Sequence, residues 1–130
     1  MDFKYAKNSI TLENLQAEMK AKEEQERKRA KQNKIARMKK DGYFLKAHEL
    51  IDWVLSGKRI VDGDDPCEWM QLIDGKIIHQ YLEYNDIDMP IGYFQKTMSV
   101  EQFKEWVANC EEEQIKEHKV FVNEYFHRDI

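Results

Sequence analysis

Between Lys20 and Lys34 the only apolar side chains are Ala21 and Ala30. A helix that packs on a core needs an apolar stripe roughly 100° wide, and this stretch has none, so any hydrophobic core must come from the residues that follow it. Helix is nonetheless what the local pattern favours. Ser9 or Thr11 offers an N-cap, Leu12, Leu15 and Met19 follow at helical spacing, and Glu23 with Arg27 and Glu24 with Lys28 stand four apart in the favourable order. The expectation is a long charged helical arm over residues 1–41 in front of a compact domain over residues 42–130. Leu12, Leu15 and Met19 need burial somewhere, which marks the arm as a place for self-association.

The net charge of -4 conceals a division along the chain. Arg27, Lys28, Arg29, Lys31, Lys34, Arg37, Lys39 and Lys40 lie in a stretch with no acidic residue, whereas residues 41–130 carry 19 acidic against 9 basic side chains. Such asymmetry speaks about partners rather than fold. The basic stretch suits phosphate and counterion release, although no aromatic residue is interleaved in it to stack on bases. The acidic domain suits a basic protein surface. Candidate contacts there are Asp62, Asp64, Asp65, Glu68, Asp86 and Asp88 on loops, and Glu111, Glu112 and Glu113 near the end of a helix.

Past Asp41-Gly42, Phe44, Ala47, Ile51, Val54 and Leu55 recur at helical steps and stop at Ser56-Gly57. Residues 58–61 predict a short strand, and Asp62-Gly63-Asp64-Asp65-Pro66 is turn chemistry. The strongest strand signal is the pair of runs 69–73 and 76–82 flanking Asp74-Gly75, a dipeptide that accepts the positive φ values of a type I′ hairpin turn. Residues 91–96 add a further strand. Ser99 and Gln102 form a capping box for a helix whose inner face is Val100, Phe103, Val107 and Cys110, with Trp106 beside it. Glu111, Glu112 and Glu113 predict a stop or bend there, since acids oppose the helix dipole at a C-terminus. Residues 120–126 read as a last helix or a strand, helix being the preferred reading. The fold class is α+β, an antiparallel hairpin or meander packed on two or three helices.

Known chemistries find no footing in these residues. An EF-hand register starting at Asp62 puts Pro66 at the fifth position and Ile73 where a bidentate glutamate belongs. His48, His79, His118 and His127 show no metal-ligand spacing and read as surface or partly buried residues. Neither phosphate-binding glycine motif occurs, and no serine sits between nucleophile-elbow glycines. The reading is therefore a protein without catalytic, metal or cofactor residues. Cys67 and Cys110 are expected as buried thiols, and Trp53, Trp69 and Trp106 as core in preference to the walls of a ligand pocket. No apolar run approaches the roughly 20 residues of a membrane helix, and the opening Met1-Asp2-Phe3-Lys4-Tyr5 lacks a signal-peptide run, so a cytoplasmic protein is expected.

Residues 44–78 carry a resemblance. A helix leads into Leu55-Ser56-Gly57-Lys58-Arg59-Ile60, then a turn, Trp69 to Leu72, and Asp74-Gly75-Lys76-Ile77. This is similar to small phage and prophage proteins of the anti-defence type, including Thoeris anti-defence sponges, over roughly a quarter of the chain. The resemblance implies a small protein of a phage or mobile element that works by binding, and it carries no binding residue over. Three functions follow as expectations. The first is a non-enzymatic, anti-CRISPR-like inhibitor or modulator whose acidic surface occupies the basic nucleic-acid site of a host protein. The second is a nucleic-acid-binding accessory protein using residues 27–40. The third is a small-nucleotide sponge.

Overall fold

The Asp74-Gly75 turn forms with φ of 52° and 78°, positive at both central positions as a type I′ turn requires. In the computed structural model, which describes residues 11–117 and 119–130, this turn joins β2 (Trp69–Ile73) to β3 (Lys76–Tyr84). The element order is α1 (Leu12–Asp41), α2 (Ala47–Leu55), β1 (Ile60–Asp62), β2, β3, β4 (Pro90–Met98), α3 (Val100–Lys116) and β5 (Phe126–Arg128). The five strands make one antiparallel sheet in the order β4-β3-β2-β1-β5. The α+β class read from the sequence is the observed one.

The chain divides into two compact units between Ala36 and Arg37, a division that α1 crosses. In α1 no residue is buried, as the missing apolar stripe requires. Thr11 caps it, its Oγ1 accepting the Asn14 N–H at 3.1 Å; Ser9, the other cap candidate, lies outside the described residues, as does His118. The Glu23–Arg27 pair forms at 3.8 Å. No helix among the described residues is long and apolar enough to cross a membrane.

In the second unit, α2 and α3 cover one face of the sheet. Leu50 and Val54 from α2, Phe103 and Val107 from α3, and Ile60, Met70 and Ile77 from three strands meet Phe44, Val122 and Phe126 in one core. Trp53 and Trp106 pack against that core. Trp69 points to the other face of the sheet, buried beneath the Arg59 guanidinium at 3.9 Å from its ring; Gln71 holds that guanidinium at 3.0 Å. Ser99 and Gln102 form the expected capping box at the start of α3.

Three expectations are corrected. Glu111, Glu112 and Glu113 do not stop α3, which runs on to Lys116: Cys110 and Gln114 keep facing inward after Val107, and Lys116 supplies a cation in the last turn. Residues 120–125 form neither helix nor strand, and only Phe126–Arg128 joins the sheet. Phe121, Val122 and Asn123 are buried in an irregular path. Three of its N–H groups find partners there: Asn123 Oδ1 accepts those of Tyr125 and Phe126 at 2.7 and 2.9 Å, and the Val122 N–H donates to Phe44 O. Both cysteines are free; Cys67 is exposed rather than buried, and Cys110 is half-buried, with burial raising its thiol pKa.

Gly42 ends α1 in a Schellman arrangement, with Tyr43 N–H reaching Met38 O and Gly42 N–H reaching Lys39 O. Its φ is +97°, and an added Cβ would meet Ile130 Cδ1 at 3.1 Å and Arg128 Cβ at 3.2 Å. Gly42→Ala is expected to lower stability by about 2 kcal/mol in urea denaturation. Gly57, with φ +90° but nothing within 4 Å, supplies the control: Gly57→Ala should cost about 1 kcal/mol, and the difference measures the contact with the C-terminal strand.

Candidate interaction surface

The β3–β4 hairpin is the longest paired element of the protein, nine residues on each side, and it ends in a tip built on one side chain. Asn85 Oδ1 accepts the N–H groups of Ile87 and Met89 at 3.1 and 3.0 Å, while the Asn85 N–H donates to Met89 O. Asp88 adopts φ +58° to close the loop, a conformation that aspartate tolerates. The consequence is that Asp86, Ile87 and Asp88 project outward.

β4 buries none of its residues. Ile87 is 77% exposed and Phe94 44%, with Tyr84, Met89, Ile91 and Tyr93 between those values. These exposed apolar residues gather on one hairpin, with Tyr93 and Phe94 on its two opposite faces, and such a grouping on one element suits a binding surface better than residues scattered singly. The register assigns faces: Phe94 pairs with Tyr81 and Met98 with Ile77 on the core side, whereas Tyr93 pairs with Leu82 and Gln95 with Gln80 on the other. Between Glu83 and Phe94 there are three acids and no base. The one cation on β4, Lys96, lies 5.2 Å from the Tyr81 ring centroid.

The acidic candidates from the sequence divide by what the fold does with them. Asp62 Oδ1 accepts the N–H groups of Asp64 and Asp65. Asp65 accepts the Cys67 N–H and, through both carboxylate oxygens, the Tyr93 hydroxyl at 2.7 and 2.9 Å. That bond pushes the Tyr93 pKa up to about 12, so Tyr93 remains a donor at any physiological pH. Glu68 lies 3.2 Å from His79 Nε2. These three carboxylates hold the 62–68 loop together and fasten it to the sheet. Asp64, Asp86, Asp88, Glu112 and Glu113 are exposed and Glu111 half-buried; the three groups of acids sit on separate elements, the 62–68 loop, the hairpin tip and α3. The apolar residues of the hairpin were not singled out by the sequence reading. Their signal was a strand with large side chains in both phases of its alternation, Ile91 and Tyr93 against Phe94, opened by Pro90, a residue typical of sheet edges.

The basic candidates are all exposed on α1. At helical periodicity Arg27, Lys31 and Lys34 share one face, and Lys28, Arg29, Arg37, Lys39 and Lys40 are distributed around the rest. An open depression of about 450 Å³ is lined by Lys40, Asp41, Tyr43, Gly63 and the chain from His127 to Ile130. Its Arg128 guanidinium is already engaged, donating to Gly42 O and Tyr43 O and lying 4.1 Å from the Phe44 ring. Among the described residues no three His, Cys, Asp or Glu side chains converge as metal ligands.

Compared with protein-family models, curated proteins and solved structures, the chain matches none. The residues themselves carry the functional argument.

Proposed function

We propose that the protein acts without catalysis, as an inhibitor or modulator that docks on a partner protein through the β3–β4 hairpin. The observation that supports this is the concentration of large exposed apolar side chains, Tyr84, Ile87, Met89, Ile91, Tyr93 and Phe94, among Glu83, Asp86 and Asp88 with no neighbouring base in the sequence. Apolar area supplies the affinity of such a contact, and the carboxylates select and steer a cationic partner. A protein whose basic face ordinarily meets nucleic acid is the partner class this chemistry fits, with the acids occupying the places of phosphates.

The test uses purified basic nucleic-acid-binding proteins and surface-plasmon measurements. Ile87→Asp combined with Met89→Asp changes only exposed side chains and should weaken binding by about 100-fold. Asp86→Lys with Asp88→Asn, the latter keeping a residue suited to positive φ, should slow association by about tenfold and flatten its salt dependence. Asp64→Lys is the comparison from the 62–68 loop, because Asp62 and Asp65 cannot be reversed without opening that loop. Binding that survives both hairpin variants, or that is lost only with Asp64→Lys, overturns the assignment.

A further inference from the structure

We infer that the partner is held by strand addition: an extended segment of it, apolar along its middle and bearing Lys or Arg at the end nearest the hairpin tip, pairs its main chain over residues 93–97 with the edge of β4 that no other described strand covers. This inference rests on the hairpin being the docking surface.

The two edges of the sheet differ. β5 is three residues long, and its Arg128 N–H already donates to Gly42 O, so the chain itself covers that edge. β4 is nine residues long and has β3 as its one neighbour in the sheet among the described residues. An edge strand presents a row of unpaired N–H and C=O groups that templates another strand, and proteins commonly blunt it with proline, bulges or charges. Here those devices are confined to one half. Pro90, Gly92 and the register shift at Glu83/Tyr84 interrupt the half near the tip, while beyond Tyr93 only Lys96 carries a charge, and it lies by the face of Tyr81.

The side chains beside that open half specify the occupant. Tyr93 on one face and Phe94 on the other are both exposed, so a strand laid alongside gains apolar contact whichever way its residues alternate. An apolar segment fits this better than an amphipathic one. Tyr93 is already fixed by Asp65, so no ordering of that ring is needed on binding. At the tip, Asp86 and Asp88 face whatever extends past Pro90, which places the cationic end of the segment there. Main-chain pairing then supplies affinity and the alternate side chains specificity, as in other strand-addition complexes.

The experiment uses the full chain and synthetic peptides of about ten residues built from Val and Ile and ending in a Lys-Arg pair. The companions are the same peptide ending in Glu-Glu and two forms N-methylated at alternate amides, one in each phase. Binding is followed by fluorescence and by hydrogen exchange of individual amides. The cationic peptide should slow exchange at amides within residues 93–97 by about tenfold or more, and the Glu-Glu form should bind about tenfold more weakly. One N-methylated form should lose binding while the other keeps it, because successive residues of a strand point their main-chain groups to opposite sides. The inference is overturned if no peptide binds, if both methylated forms bind like the parent, or if bound peptide leaves those amides unprotected. It is also overturned if the protein alone protects them while sedimenting as a dimer, since a second copy is then the occupant. Peptide binding that is abolished by Ile87→Asp and Met89→Asp but protects no amide removes strand addition and leaves the docking surface standing. Binding of proteins and peptides that ignores those substitutions removes both.

Discussion

The Phe103→Ala variant is expected to lose about 3–5 kcal/mol of unfolding free energy, the usual cost of deleting a buried phenylalanine ring. Phe103 is fully buried. It stands on α3 four residues before Val107, lies 5.9 Å from the Trp106 ring and belongs to the core that α2, α3 and the sheet share. Removing it takes away both the transfer energy of the ring and the contacts of everything around the cavity. Domains of this size are held by only about 5–15 kcal/mol in total, so the variant should unfold at markedly lower urea concentration with its m-value unchanged. Phe94→Ala is the matched comparison, the same chemical change at a residue 44% exposed on β4, and it should cost less than about 1 kcal/mol. A Phe103→Ala loss no larger than that of Phe94→Ala would mean that α3 does not close the core.

Local chemistry made the hairpin turn and the start of α3 legible in the sequence, because each is decided within a few residues. Asp74-Gly75 takes the positive φ of its turn at two adjacent residues, and Ser99 with Gln102 satisfies two helix donors through contacts three residues apart. Residues 120–126 were not legible for a related reason. Val122 and Phe126 are four apart, which imitates a helix face, yet both are buried by a chain that turns around the Asn123 side chain. The candidate site was readable only in part. Charge identifies Asp62, Asp65 and Glu68 as acids, but their commitment depends on partners delivered by the sheet, above all Tyr93, 28 residues beyond Asp65. Likewise, apolar residues in both phases of a strand suit a central strand as well as an edge. It is the order β4-β3-β2-β1-β5 that puts Tyr93 and Phe94 on an edge strand, where both are exposed among the described residues.

Acidification below pH 6.5 is expected to remove up to about 3 kcal/mol of stability through His79 alone. His79 sits on β3 at 9% exposure between the Tyr81 and Phe126 rings. Burial first, and the Lys96 charge second, lower its pKa from 6.5 to about 4. The 3.2 Å approach of Nε2 to Glu68 Oε1 has the distance of an ion pair, but desolvation outweighs that attraction and the imidazole stays neutral near pH 7, donating its Nε2–H to the carboxylate. Nδ1 is then a buried acceptor without a hydrogen-bond partner among the described residues. The sign follows from the two pKa values. Between about 6.5 and 4 the unfolded chain binds the proton and the folded one does not, so stability falls with pH across that window and falls no further from this source below it. Glu68 opposes the trend at the acidic end. Burial, then Asp62 and Asp65, raise its pKa, so the folded state takes up its proton more readily than the unfolded chain does. The steepest loss therefore lies at the upper end of the window, about 2 kcal/mol by pH 5. Urea titrations at pH 7, 6 and 5 measure it, and His79→Phe, which fills the same space without a titrating group, should flatten the dependence. Equal losses in the wild-type and His79→Phe proteins would show that the acid sensitivity arises elsewhere, and that the imidazole carries its charge in the folded state.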